Sequence, residues 1–259
     1  MAFKTILVHL NDETRVEQVL TPAVALATRH GAHLIGLHVS PGLMYVPPLP
    51  SIGVVIGLIE ERERTLSAAI AAKCDEMTRG RDFPADMRIV KPRGRDDVVQ
   101  LVMQHARSAE LIVAGQIAHD YEASTVLDFP ERFAIESARP VLTIPLGGLR
   151  GDIGRHVLIA WNGKRESARA VFDAMPLLVA AEKVTVLCIE QVRGHDKQPL
   201  PDTAIANTLA RHGIDVTIKT ATVKEESVGA EILSQVALAG ADMLLMGAYG
   251  HLRFREFVF

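Results

Sequence analysis

Short apolar runs rich in β-branched residues alternate along this chain with longer stretches of helical period. Thr5-Ile6-Leu7-Val8-His9-Leu10 is such a run, followed by the polar turn residues Asn11, Asp12 and Glu13. A run of this length, nearly without polar positions, predicts a strand buried on both faces. Val16, Val19, Leu20, Ala23, Val24 and Ala27 then recur at helical spacing. They predict a helix that Gly31 ends by taking a positive φ. The alternation continues, with strands expected over 34–39, 86–90, 111–114 and 141–144 and helices over 59–78 and 96–107.

The second half repeats the plan. His156-Val157-Leu158-Ile159-Ala160-Trp161-Asn162 follows the opening run at a spacing of 151 residues. Ala170, Val171, Ala174, Leu177 and Leu178 recur at helical spacing. Strands are expected over 184–189, 215–220 and 243–246, with helices over 202–211, stopped by Gly213, and over 227–239. Pro22 and Pro176 fall inside helical stretches and are expected to interrupt them. The order βαβαβαβ thus occurs twice, which predicts parallel sheets. The first half adds a fifth strand after Pro140. Gly147, Gly148, Gly151 and Gly154 mark a flexible linker over 145–154. The expected fold class is α/β, with tandem domains over 1–146 and 155–259. Each is a mainly parallel five-stranded sheet with helices on both faces, the second short of its last strand.

Composition narrows the function. The 259 residues suffice for two ordinary domains, and 48% apolar with 23% charged residues fits a globular protein. The formal net charge is −3, and the densest basic cluster, Lys91 to Arg95, runs at once into Asp96 and Asp97. No nucleic-acid partner is expected from that balance. No apolar stretch approaches the roughly 18 residues of a membrane helix, and the opening run lacks the form of a signal peptide. Cys74 and Cys188 form no CxxC pair. The expectation is a cytoplasmic protein in a reducing compartment, without a membrane partner.

The candidate chemistry lies where strands end. The run over 241–246 leads into Gly247-Ala248-Tyr249-Gly250-His251, a Gly-x-x-Gly turn. Its counterpart, Gly115-Gln116-Ile117-Ala118-His119, has Ala118 in place of the second glycine. Paired glycines let the backbone approach a phosphate, and convergent N–H groups can hold it. A parallel sheet gathers such loops at the carboxyl ends of its strands. Asn162 and Gly163 after one strand, and Val223 and Lys224 after another, belong to that same edge. By itself the glycine pair equally describes a plain turn.

Four stretches carry a resemblance: Val157 to Gly163, the helix start Ser167-Ala168-Arg169-Ala170, the strand from Ala241 to Gly247, and Ala138-Arg139-Pro140-Val141-Leu142. In this order, repeated along the chain, they resemble a tandem universal stress protein over essentially the whole length. The resemblance implies an adenine-nucleotide alpha-hydrolase-like fold and a regulatory role in stress response. It implies ATP bound with at most slow hydrolysis. The two domains would pair as a fused pseudo-dimer, with a homodimer and an unidentified protein partner as further associations. Nucleotide-binding members carry G-x-x-G, nine residues, then Gly followed by Ser or Thr, with an acidic residue ending the first strand. Gly247 and Gly250 match the first pair, and residues 251–259 supply the nine before the sequence stops. Asn162 stands where the acidic residue belongs. The resemblance therefore places ATP in the second domain only, at Asn162, Gly163, Val223, Gly247, Gly250 and His251. That domain is expected to be C-terminally incomplete. In the first domain Ala118, the carboxylates Asp128 and Glu131, and Pro130 all oppose a phosphate loop. The alternative is an interaction protein of the same fold that binds no nucleotide and acts through its dimer-like surface.

Other signals are weaker. There is no G-x-S-x-G, H-E-x-x-H or Walker motif, so no catalytic residue is named. His33 and His38 are five apart on a strand and face opposite sides, and no metal site is expected there. His119 and His251, one past each turn, read either as site groups titrating near neutrality or as exposed loop residues. Cys188 reads as core. The Pro-rich insertion 41–50 and the apolar 51–58 after it read either as packing or as a lid or partner surface.

Overall fold

In the computed structural model the described residues are 2–40, 52–92, 98–116, 129–149, 152–191, 202–223 and 227–248. The chain divides into two compact units, one from Ala2 to Leu149 and the other from Arg150 onward.

The first unit contains β1 (Thr5–His9), a 3-10 turn (Glu13–Arg15), α1 (Val16–His30), β2 (His33–Val39) and α2 (Ile52–Thr78). It continues with β3 (Ala85–Val90), α3 (Val98–Ala106), β4 (Leu111–Gly115), α4 (Phe129–Glu136) and β5 (Val141–Ile144). Its sheet has the order β3-β2-β1-β4-β5, with every pair parallel. Successive side chains of a strand alternate between faces. Leu7, Ile35, Leu37, Ile112 and Ala114 therefore share one face, packed with Val102 and Met103 of α3 and Phe133 of α4. Ile6, Val8 and Leu34 are fully buried on the other face, against which α1 and α2 pack.

The second unit contains β6 (His156–Trp161), α5 (Arg165–Asp173), α6 (Met175–Ala180), β7 (Lys183–Gln191), α7 (Asp202–Arg211), β8 (Val216–Val223), α8 (Val228–Ala239) and β9 (Met243–Met246). Its described strands form a parallel sheet in the order β8-β7-β6-β9, the plan of the first unit without a counterpart of β5. Val157, Ile159, Val184 and Val186 meet α5, α6 and α7, whereas Leu158 and Leu187 meet Ile232 of α8. The α/β architecture with two parallel sheets is the one the sequence predicts.

Three expectations need correction. Residues 52–58, read as loop, form the first two turns of α2, and they leave Val54 and Leu58 69% and 68% exposed. Helix α4 was not anticipated; Pro130 lies in its first turn, where a missing N–H costs nothing. Pro22 does not interrupt its helix, since α1 runs unbroken through it, but Pro176 begins a new helix after a break at Ala174. In the segment read as linker, Gly148 N–H closes a turn on the Pro145 carbonyl at 3.0 Å, and Gly154 N–H donates to the Asp242 carboxylate of its own unit at 2.8 Å. The insertion 41–50 lies outside the described residues.

One device recurs that the apolar pattern does not announce. The carboxylate of Glu110 accepts from the N–H groups of Lys4 and Thr5, tying the start of β4 to the start of β1. At the matching place Asp242 accepts from Gly154, Arg155 and His156, at 2.8, 3.1 and 3.1 Å. Charge-assisted bonds of this kind fix the register of two parallel strands at their amino ends. Replacing Asp242 with Ala is expected to lower stability by about 1–2 kcal/mol, and Asp242→Asn by less. Urea unfolding of the two variants checks this.

Candidate functional site

Both sheets reverse their strand order at one place, between β1 and β4 and between β6 and β9. Crevices that hold ligands in open α/β sheets lie at the carboxyl edge of such a reversal.

In the second unit the reversal brings Asn162 and Gly163, just past β6, beside Gly247, just past β9. The Asn162 Oδ1 accepts from the Lys164 N–H at 3.0 Å and from the buried Ser167 hydroxyl at 2.8 Å. This is an Asx turn that opens α5. Its amide nitrogen has no partner among the described residues and is the group it can offer a ligand. Gly163 sits at φ 69°, and nothing larger takes that turn without strain. Gly247 is required for a different reason: a Cβ there would lie 2.6 Å from the Glu166 carbonyl carbon and from the Ser167 nitrogen. The start of α5 is pressed directly onto the end of β9. Glu166 in that first turn pairs with Arg165 at 2.5 Å, which holds its carboxyl below the usual carboxylate range. Trp161, the last residue of β6, keeps its Nε1 buried with no partner among the described residues. Val223 is not part of this group. It ends β8, is 6% exposed and pairs with Gln191, two strands away from Asn162. Lys224, Gly250 and His251 lie outside the described residues.

In the first unit the matching crevice is lined by His9, Asn11, Asp12, Arg15, Gly115 and Gln116, among others, and its free volume is about 50 Å³. Asp12 caps the 3-10 turn, its Oδ1 accepting from the Thr14 N–H at 2.9 Å and hydroxyl at 2.6 Å. The Arg15 guanidinium spans the crevice. Its Nη1 donates to the Gln116 carbonyl, its Nη2 to the Pro145 carbonyl at 3.1 Å, and its Nε to Gln18 Oε1 at 2.7 Å. His9 is buried edge-on against Phe133, ring centroids 5.4 Å apart. Burial, with His38 on the next strand as a smaller cause, lowers its pKa from 6.5 to about 3. Ala118, His119 and Asp128 lie outside the described residues.

No family model matches the sequence, and no curated protein does. Solved structures do. A universal stress protein from Archaeoglobus fulgidus superposes with a TM-score of 0.70 at 14% identity, covering 93% of this chain and 84% of that one. The chain has the universal stress protein fold. A second structure, described as a putative universal stress protein from Pseudomonas aeruginosa, gives a TM-score of 0.54 at 15% identity over 97% of this chain and 85% of that one.

Within the universal stress protein fold, the structure brings together three of the residues expected at the site: Asn162, Gly163 and Gly247. Sequence reading missed Arg15, Glu166 and Ser167. The repeat itself held the signal, because Arg15 and Glu166 occupy the same place 151 residues apart with opposite charge. Among the described residues no group of three His, Cys, Asp or Glu is placed to hold a metal ion. His33 instead pairs with Asp86 at 2.5 Å, and His38 Nδ1 donates to the Leu10 carbonyl at 2.8 Å.

Two outcomes follow from this geometry. Gly247→Ala should destabilise the protein by about 1–3 kcal/mol, because backbone must move, whereas Gly115→Ala should cost less, since its added Cβ meets the side chains of Val19 and Arg15. Chemical denaturation of both variants measures the difference. His9 stays neutral in the fold but takes a proton in the unfolded chain below pH 6.5. Its contribution is complete above that pH and is lost as pH falls toward 3, at about 1.4 kcal/mol per unit. Denaturation midpoints from pH 7 to pH 4 should fall along that slope, and His9→Gln should flatten it.

Proposed function

We propose that this protein is a regulatory protein of stress response that binds an adenine nucleotide, ATP by the family resemblance, in the crevice of its second unit, with little or no hydrolysis. The observation that carries the proposal is the meeting of Asn162, Gly163 and Gly247 at the reversal between β6 and β9. There the Asn162 amide donates to a ribose or base, and the turn beginning at Gly247 presents backbone N–H groups to phosphate. Gly250 and His251 complete that turn in the proposal. Val223 is left out of the contact set. The first unit takes no ATP. The protein works in the cytoplasm in this reading, and among the described residues no helix is long and apolar enough to cross a membrane.

A second reading has an observation of its own. On α8, Leu233 and Leu238 are 48% and 72% exposed, and Ala230, Ser234 and Ala237 between them are also exposed and uncharged. Such a face suits an interaction protein of the same fold that needs no nucleotide.

Trp161 is the chain's one tryptophan and stands beside Asn162, so its emission reports on the crevice. Titration of the full chain with ATP, followed by Trp161 fluorescence and by calorimetry, should give a saturable change. Gly250→Asp should weaken that binding by roughly tenfold or more, equivalent to about 1.4 kcal/mol. A folded wild-type protein that gives neither heat nor fluorescence change contradicts the nucleotide reading and favours the second one.

A further inference from the structure

The crevice of the first unit has a feature its counterpart lacks, and nothing about nucleotide binding in the second unit bears on it. In a parallel sheet the last carbonyls at the carboxyl edge have no following strand residue to bond, and each needs a donor. At the ends of β4 and β5 the carbonyls of Gln116, Ile144 and Pro145 converge; those of Ile144 and Pro145 accept from the N–H groups of Gln116 and Gly148 at 2.8 and 3.0 Å, and Arg15 reaches all three from the start of α1. Its guanidinium serves the carbonyls of Gln116 and Pro145, with the Ile144 carbonyl a weaker third partner at 3.4 Å. Two glutamines complete the ring. Gln18 accepts from Arg15 Nε and donates from Nε2 to the Leu146 carbonyl at 3.0 Å, while the Leu146 N–H donates to Gln116 Oε1 at 3.2 Å. Helix α1, β4, β5 and the beginning of the linker are thereby clasped around one cation.

The clasp inverts the chemistry expected at this edge. A phosphate site presents N–H donors to the crevice, but here the edge presents carbonyl oxygens, and the Arg15 Nη1 and Nη2 groups donate to them while Nε donates to Gln18. The remaining space of about 50 Å³ is that of one or two water molecules, far below the roughly 300 Å³ of a small-molecule site. An anion entering would strip Arg15 from the Gln116 carbonyl, which has no other donor among the described residues, and would weaken its hold on Pro145 and Ile144, which keep the N–H groups of Gly148 and Gln116. At the matching position the second unit carries Glu166, whose side chain pairs outward with Arg165 at 2.5 Å.

We infer that Arg15 is a built-in cationic occupant that holds the crevice of the first unit closed, an internal contact that excludes phosphate-bearing ligands. The site it fills is a guanidinium site, so a small guanidinium ion takes its place when the side chain is removed.

The test compares the wild-type chain with Arg15→Ala and Arg15→Met in thermal unfolding, with ethylguanidinium or inorganic phosphate added. Arg15→Ala should melt below wild type. At ten times its Kd, ethylguanidinium should then raise its Tm by about 3–6 °C, with no comparable rise for wild type or Arg15→Met, whose side chain fills the space. Phosphate should do nothing selective. The inference is overturned if ethylguanidinium acts equally on all three proteins. It is also overturned if phosphate stabilises wild type and loses that effect in Arg15→Ala, which would make Arg15 an anion ligand. Should Arg15→Ala not fold, the wild-type chain still decides: the Arg15 Nε–H should exchange slowly with solvent by NMR, and exchange as fast as that of the exposed Arg165 contradicts the clasp.

Discussion

The reversal of strand order at β1/β4 and at β6/β9 is the constraint on which both units depend. A strand inserted on the opposite side from its predecessors leaves a gap above the sheet, because the connections on either side diverge. The register of that insertion must be fixed from below. Glu110 and Asp242 do so by taking the N–H groups at the amino ends of β1 and β6. Once that end is set, the carboxyl ends are set too, and with them the positions of Gly115 and Gly247.

What fills the gap then differs between the units. In the second, the backbone at Glu166 and Ser167 closes onto Gly247, and Asn162 holds the turn that starts α5. The glycine there answers a packing demand before it answers any ligand. In the first, the helix start stands off far enough for a guanidinium to enter, and Gly115 faces the side chains of Val19 and Arg15 in place of backbone. One scaffold thus supports a crevice edged by the Asn162 amide, which has no partner among the described residues, and another sealed by its own cation. Opposite charges at one repeated position separate the two outcomes.

The strands were legible because burial on both faces demands uninterrupted apolar runs, and Ile6 to Val8 and Val157 to Ile159 satisfy that demand completely. The fold class followed from their alternation with helices. Helix α4 was not legible: its eight residues carry a proline and a short apolar pattern, and its existence depends on Phe133 reaching the sheet. The first turns of α2 were hidden for the opposite reason, since Ile52-Gly53-Val54-Val55-Ile56-Gly57-Leu58-Ile59 holds no polar residue to mark an outer face, although Val54 and Leu58 are exposed. For the candidate site, sequence placed Asn162, Gly163 and Gly247 at the correct edge because each follows directly on a strand. Val223 closes β8 two strands from Asn162: β8 runs three residues beyond its expected end, so a residue read as loop is a buried strand terminus. Arg15 escaped notice because a single basic residue after a strand says nothing until the carbonyls it meets, more than a hundred positions away, are known.

The most direct test of this asymmetry is the stoichiometry of ATP binding to the full chain by calorimetry. The account predicts one nucleotide per chain, bound in the second unit and unaffected by Arg15→Met. Two nucleotides per chain would contradict the closure of the first crevice, and none, from a folded protein, would contradict the nucleotide site of the second.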